Sequence, residues 1–282
     1  MAQTSYDEII TPQTLADAVA AMAGGAVPIA GATWISRAPL RHEAMPEQLM
    51  SMRGLTDLAE LIVGSEQAIL GAMVTHDALA RALAGQPDLA GLVTAAGTSA
   101  NPGVRRIATL GGNLGTAGFA ASDLVPALMA ADATVVLATG HGLQSLPVAA
   151  FLAARDRSAS SGLIVRVEIA RSQRRAAHVR LPMRKAGDYP CAIVSVSAEL
   201  SGGQIKDIRI AVGAVEATAR RWSSLEARLI GTIFDPALAE AAAREMTADF
   251  AARDAVDAPG WYRLSVLSVL LRRALTKIQA EV

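Results

Sequence analysis

Two short glycine-bearing turns constrain this chain more than any other feature: Ala30-Gly31-Ala32-Thr33-Trp34 and Thr109-Leu110-Gly111-Gly112-Asn113. Each follows an apolar segment, Val27 to Ala30 in the first case and the small-residue run from Leu89 to Val104 in the second. A diphosphate is held by several backbone N–H groups that converge on it without Cβ atoms in the way, and turns of this composition offer that. Thr109 and Asn113 add side-chain hydrogen-bonding groups to the second turn. The competing reading is an ordinary turn, and it weighs most for the first turn taken alone.

Other phosphate-binding and nucleophilic motifs are excluded by spacing. The only Gly-x-Gly, Gly140 with Gly142, has Ser145 where a dinucleotide fingerprint requires its third glycine. Neither a Gly-x-x-x-x-Gly-Lys-Ser/Thr loop nor a Gly-x-Ser-x-Gly nucleophile elbow occurs.

Charge narrows the partners. Lys+Arg and Asp+Glu both number 26 and the isoelectric point is about 6.9, so there is no positive excess to neutralise nucleic acid or anionic lipid. No apolar run is long enough to predict a membrane span. The opening MAQTSYDEII lacks the basic region and apolar run of a secretion signal, which predicts a cytoplasmic chain. A single cysteine, Cys191, excludes an internal disulfide and cannot ligate an iron–sulfur cluster. The four histidines, His42, His76, His141 and His178, show no spacing that puts two metal ligands on one face, so no metal site is expected.

Periodicity gives a mixed plan. Thr11-Pro12 predicts a helix start, with Leu15, Ala18, Val19 and Met22 on the buried face and Gly24-Gly25 at the end. A strand follows at Val27–Ala30, two short strands lie within 60–74, and Thr75 caps a helix through Leu83. Asp123 is placed to cap a short helix that precedes a strand at Thr134–Ala138. Residues 155–162 read as polar and exposed, Leu163–Ile169 as a strand, and Arg171–Arg175 as a boundary. Ala192–Leu200 and Ile205–Val215 form a predicted hairpin about Ser201-Gly202-Gly203-Gln204. Two helices close the chain, Pro236 to about Ala252 and one from about Trp261 with Leu264, Leu267, Leu271 and Leu275 on one side.

Segment 100–132, with its Arg105-Arg106-Ile107, its Thr109-to-Asn113 turn and its Asp123-Leu124-Val125-Pro126, resembles the central signature of the FAD subunits of the molybdenum hydroxylase family, the xanthine dehydrogenase, carbon monoxide dehydrogenase and N-heterocycle dehydrogenase type. Pro28 to Thr33 is similar to that family's N-terminal Ala-Gly-Gly-Thr/His loop, Arg184 to Tyr189 to its Arg-x-Gly-Asp-Tyr/Phe segment, and Tyr262 to Leu275 to its terminal helix. The likeness covers nearly the whole chain in order. It departs at Ala32, where a second glycine is usual, and at Trp34, where a small or polar residue is usual; both changes bear on the grip on a pyrophosphate. A methyl at position 32 requires a negative φ. The stretch before Asp123 is one residue longer than in some relatives, which leaves Ser122 and Asp123 as alternatives there.

The resemblance implies an α+β chain: a two-lobed FAD-binding domain of the vanillyl-alcohol-oxidase/PCMH type, then a C-terminal α+β domain of the CO dehydrogenase flavoprotein type. The expected boundaries are 1–53 for the N-terminal lobe, 54–173 for the middle lobe and 174–282 for the C-terminal domain. It implies that Ile29, Ala30, Gly31, Ala32, Thr33 and Trp34, with Ala100, Thr109, Leu110, Gly111, Gly112 and Asn113, hold FAD. Asp123 would contact a ribose, and Lys185 and Tyr189 would meet the cofactor, Tyr189 by covering the ring. Beside these stand plainer roles: Asp123 as a helix cap, Tyr189 as a core aromatic, Trp34 as packing. No catalytic side chain and no metal in this chain are implied. The family's molybdopterin and two [2Fe-2S] clusters sit in partners, a large molybdopterin subunit and a small iron–sulfur subunit, in a dimer of heterotrimers. The alternatives are a stand-alone flavin oxidoreductase and an assembly or scaffold protein that has lost FAD.

Overall fold

In the computed structural model, which describes residues 9–157, 162–183 and 188–280, the first helix opens at Thr14. Its hydroxyl accepts from the Asp17 N–H at 3.1 Å and caps α1 (Leu15–Ala23). The start lies later than Thr11-Pro12 predicts because only Thr14 has an acidic residue three positions on to complete the cap. After the turn at Gly24-Gly25, β1 (Val27–Ile29) runs parallel to β2 (Leu49–Ser51), and a 3-10 stretch, Ile35–Arg41, lies between them. Ala18, Ala26, Met50 and Met52 form the buried centre of this first lobe.

The middle of the chain contributes β3 (Leu61–Val63), β4 (Gln67–Gly71), α2 (His76–Ala82), α3 (Ala90–Thr98), α4 (Pro102–Arg105), α5 (Leu110–Gly115), α6 (Leu124–Ala130), β5 (Thr134–Thr139), β6 (Gly142–Pro147), α7 (Val148–Asp156) and β7 (Leu163–Ala170). Its five strands pair antiparallel in the order β3-β4-β7-β5-β6. Thr75 caps α2 by accepting from the Ala78 N–H, as the sequence predicts. Leu70, Leu79, Leu92, Leu110, Leu128 and Phe151 meet in one core between sheet and helices. The polar run at 155–162 is not uniformly exposed: the Arg155 side chain is 12% exposed and donates to the Leu114 and Thr116 carbonyls, so it tucks under α5.

The last part holds β8 (Arg175–Pro182), β9 (Pro190–Ser201), β10 (Gln204–Gly213), β11 (Arg220–Arg221), α8 (Ser223–Leu229), α9 (Pro236–Glu245), α10 (Gly260–Ser265) and α11 (Leu267–Ala280), with an antiparallel sheet in the order β11-β10-β9-β8. The predicted hairpin joins β9 to β10 through Gly202-Gly203, both left-handed at φ +57° and +77°, the twist that a two-residue turn requires. α9 ends at Glu245 rather than near Ala252, because Asp249 beyond it is captured by the Trp222 indole N–H and the Ser224 hydroxyl. The terminal helix is broken at Val266, and α11 buries Leu267, Leu271 and Leu275 on one side. The whole is α+β. Among the described residues no helix is long and apolar enough to cross a membrane.

Candidate functional site

Two close backbone approaches shape the site, one inside the middle lobe and one between the first lobe and the middle one. A Cβ on Gly111 would stand 2.8 Å from the Ala72 Cβ and 2.9 Å from the Ala72 carbonyl oxygen, so this glycine lets α5 sit against the end of β4. Gly31 in turn lies against the backbone at Ile107 and Ala108. Between the lobes, and bounded on the third side by Asp188, Tyr189 and Val256, runs a cleft of about 1230 Å³. That exceeds the roughly 300–1,000 Å³ of ordinary small-molecule pockets and suits an elongated ligand.

Ile29, Ala30, Gly31, Ala32, Thr33, Trp34, Ala100, Thr109, Gly111, Gly112, Asn113, Asp123 and Tyr189 all line this cleft. Leu110 is fully buried in the middle core and is not among the lining residues. Lys185 lies outside the described residues.

The two glycine turns prove different in kind. The second is the first turn of α5, and its amides are already committed: Leu110 donates to Val74, Gly111 to Ala72, Gly112 to the Thr109 hydroxyl and Asn113 to the Thr109 carbonyl. Thr109 is thus a helix cap. In the first turn, Gly31, Ala32, Thr33 and Trp34 donate to no protein acceptor among the described residues. Ala32 is left-handed at φ +56°, so the negative φ expected of an alanine there is not met. A left-handed residue amid unsatisfied N–H groups makes an anion-binding concavity. The turn that looked plainer in sequence is the one with free amides.

Asp123 is not a helix cap. Its side chain makes no bond to the start of α6; the Ser122 hydroxyl accepts from the Val125 N–H at 3.3 Å and donates to Asn113 Oδ1 at 2.6 Å. The Asp123 carboxylate, 3% exposed, instead takes the Arg180 Nε–H at 2.9 Å and faces His178 Nε2 at 3.2 Å through the same oxygen, Oδ1. A buried carboxylate without such hydrogen-bond partners would be costly. Ser122 thus orients Asn113, and Asp123 lines the cleft.

Aromatic groups also line the cleft. Trp34 packs on Phe119 with ring centroids 4.5 Å apart, and Phe119 meets Tyr189 edge-on at 5.5 Å. Arg41 lies over the Trp34 ring at 3.9 Å and is paired with Glu43. Trp34 thus packs and faces the cleft at once. Tyr189 is 46% exposed, with its hydroxyl accepting from Arg37 Nη1 at 3.2 Å, so it is no core aromatic.

Several contributors are not evident from the sequence. His76 lines the cleft at 3% exposure; Nδ1 pairs with the Ser99 hydroxyl at 2.8 Å while Nε2 has no partner among the described residues. Burial pushes its pKa down to about 4, against the opposing pull of the Asp123 charge and the Thr109 backbone and with a smaller push from Arg105. A histidine search tuned to metal spacing passes over it. Phe119 does carry a signal, a lone aromatic in a run of glycine and alanine. Arg155, at the cleft wall, carries none, because its partners are backbone carbonyls about forty residues away in sequence. No group of three or more His, Cys, Asp or Glu side chains converges among the described residues.

A large cleft between two lobes with free amides on its wall and an adjoining antiparallel C-terminal sheet defines a protein built to hold an elongated ligand, and comparison with known families gives its class. Residues 4–171 match the FAD binding domain in molybdopterin dehydrogenase, and residues 177–278 match the CO dehydrogenase flavoprotein C-terminal domain. The chain belongs to the family of FAD-binding medium subunits of molybdenum hydroxylases. It is 30% identical to the carbon monoxide dehydrogenase medium chain of Afipia carboxidovorans, over 96% of each chain. It is 25% identical to the nicotine 6-hydroxylase medium subunit of Paenarthrobacter nicotinovorans, over 84% of each. Its fold superimposes on the quinoline 2-oxidoreductase structure from Pseudomonas putida 86 with a TM-score of 0.86 at 26% identity, covering 97% of both chains. The chain is accordingly an oxidoreductase flavoprotein subunit.

Proposed function

We propose that this chain holds FAD in the cleft and passes electrons from [2Fe-2S] clusters of a partner subunit to an external acceptor, while substrate oxidation happens elsewhere in the assembly. The observation that carries the reading is the set of unsatisfied Gly31, Ala32, Thr33 and Trp34 amides facing the same cleft as the Asp123 carboxylate. These amides would take the pyrophosphate, with Thr33, Thr109 and Asn113 offering side-chain polar groups. Asn113 Oδ1 is occupied by Ser122, which leaves its amide N–H₂ to donate to the ligand. Asp123 would accept from a ribose hydroxyl, and Ala100, Gly111 and Gly112 would give backbone surface. Tyr189, half-exposed at the mouth and tied to Arg37, would cover the ring. Leu110 would serve from the core, and the cofactor contact that the resemblance implies for Lys185 falls outside the described residues.

Bound FAD supplies the redox chemistry, and the protein's part is to bind it, orient it and limit water around it. Cys191 is the only cysteine and is buried, so the clusters must come with a partner. The proposed assembly has a small iron–sulfur subunit and a large molybdopterin subunit in a dimer of heterotrimers, in the cytoplasm. The lobe boundaries at 53 and 173 belong to the same proposal; each of the three sheets falls within one lobe.

The test is an absorption spectrum of the purified chain, repeated after denaturation to identify and count released flavin. About one FAD per chain is expected. A colourless chain that takes up no added FAD, alone or with its iron–sulfur and molybdopterin partners, overturns the reading.

A further inference from the structure

Asp123 reaches the cleft from the middle lobe, yet its geometry is set by the C-terminal sheet. His178 and Arg180, two apart on β8 and so on one face of it, both address the Asp123 Oδ1 atom, at 3.2 and 2.9 Å. His178 is itself fixed by Ser195 on β9, with Nδ1 2.9 Å from that hydroxyl. The other carboxylate oxygen, Oδ2, has no hydrogen bond among the described residues and is not sealed from solvent, although the residue is 3% exposed and lines the cleft. Oδ2 is therefore the acceptor that a ligand in the cleft meets.

Arg180 has a second arm. Its Nη2 donates to the Asp188 carbonyl at 2.6 Å, one residue before Tyr189, whose hydroxyl is held from the first lobe by Arg37. One planar guanidinium thus grips both the carboxylate that faces the cleft and the backbone from which the half-exposed aromatic extends. A guanidinium presents its donors in a fixed fork, so its two contacts cannot shift independently.

We propose that Arg180 is a positioning residue that couples the Asp123 end of the cleft to Tyr189. A ligand hydroxyl donating to Asp123 Oδ2 immobilises the carboxylate, the carboxylate immobilises the guanidinium, and the guanidinium fixes the approach to Tyr189. Hydroxyl recognition and the seating of the aromatic cover become one event. The ligand class is a hydroxyl-rich nucleotide cofactor. This inference rests on the FAD reading of the cleft.

The experiment uses the full chain, stripped of flavin and titrated with FAD, in the wild type and in Asp123→Asn, Arg180→Met, Arg180→Lys and the Asp123→Asn/Arg180→Met double variant. Dissociation constants are read together with the fluorescence of bound flavin at saturation and the melting temperature of the apo chain. Asp123→Asn retains an Oδ1 acceptor for Arg180 and His178 but offers the cleft a donor in place of Oδ2. Expected are a 10-fold or greater weakening in each of Asp123→Asn and Arg180→Met, and a double variant within about twofold of the weaker single one, the mark of two groups acting as a unit. Arg180→Lys keeps the charge and loses the fork. It should melt near the wild type yet bind FAD less tightly and leave the bound flavin brighter as Tyr189 loosens. Multiplying single effects in the double variant, or an Arg180→Lys chain that loses melting temperature while keeping wild-type affinity and fluorescence, overturns the coupling and leaves the FAD reading intact. A wild-type chain that binds no FAD overturns both.

Discussion

Gly31 and Ile107 touch through their backbones: a Cβ built on Gly31 would stand 1.8 Å from the Ile107 carbonyl oxygen and 2.6 Å from its carbon. No rotation of a side chain relieves such a clash, because the neighbour is main chain on the other lobe. Gly31→Ala must therefore spread the two loops apart. The expected loss is about 1–3 kcal/mol of stability, the usual range for overpacking a close contact, together with weakened FAD binding. Thermal unfolding and flavin titration of the variant check this; a Gly31→Ala chain with wild-type values in both would show that the lobes do not meet at that point.

One residue further on, the sign reverses. Ala32 sits at φ +56° with a Cβ in a region where an L-residue is strained by about 1–2 kcal/mol. Ala32→Gly relieves the strain and gives back part of it as unfolded-state entropy. A net gain of about 0.5–1 kcal/mol is expected, read as a shift of the urea midpoint at unchanged slope. Flavin affinity should hold or rise, since the Gly31-to-Trp34 amides keep their arrangement. Lower stability in the glycine variant would refute the strain account.

Much of this fold was legible because it is local. The Thr75 cap, the Gly202-Gly203 turn and the Leu267/Leu271/Leu275 stripe are each written within a few residues. The site was half legible. Glycine content drew attention to both turns, but composition cannot say whether a glycine frees an amide or admits a neighbour. Gly111 does the latter, against Ala72, and the amides around it are spent inside α5 and on Val74. Asp123 illustrates the other limit. A carboxylate before a helix reads as a cap, and only the arrival of β8 some fifty residues later reassigns it to Arg180 and His178.

Arg155, in the cleft wall, shows the same long reach. Its Nη1 donates to the Leu114 carbonyl at 2.8 Å and the Thr116 carbonyl at 3.1 Å, closing the C-terminal end of α5, while Nη2 pairs with Asp156. Arg155→Met keeps most of the stem and deletes these bonds. Hydrogen bonds from a charged donor contribute roughly 1.5–3 kcal/mol, and a loss near the lower end is expected because the carbonyls at a helix end can turn to water. Hydrogen exchange should locate the change: faster exchange in α5, little change in β9 and β10. Uniform exchange across the chain would instead mean that Arg155 holds the whole fold.

His76 makes the stability of the chain depend on pH in a defined window. Burial holds its folded pKa at about 4, below the ordinary 6.5, so the neutral ring is the folded form. The unfolded chain takes up the proton first. The contribution is therefore intact above pH 6.5 and is lost progressively as pH falls from there toward 4. With those two values, His76 alone should make the chain about 2 kcal/mol less stable at pH 5 than at pH 7. Replacing it, His76→Gln, removes the titrating group while leaving an amide near Ser99. Urea unfolding at about pH 5, 6 and 7 should then show a gap between wild type and variant that narrows, or reverses, by about 2 kcal/mol as the pH drops. Parallel pH profiles for the two chains would mean that the His76 ring is hydrated or paired when folded, and that its unpartnered Nε2 is satisfied in solution.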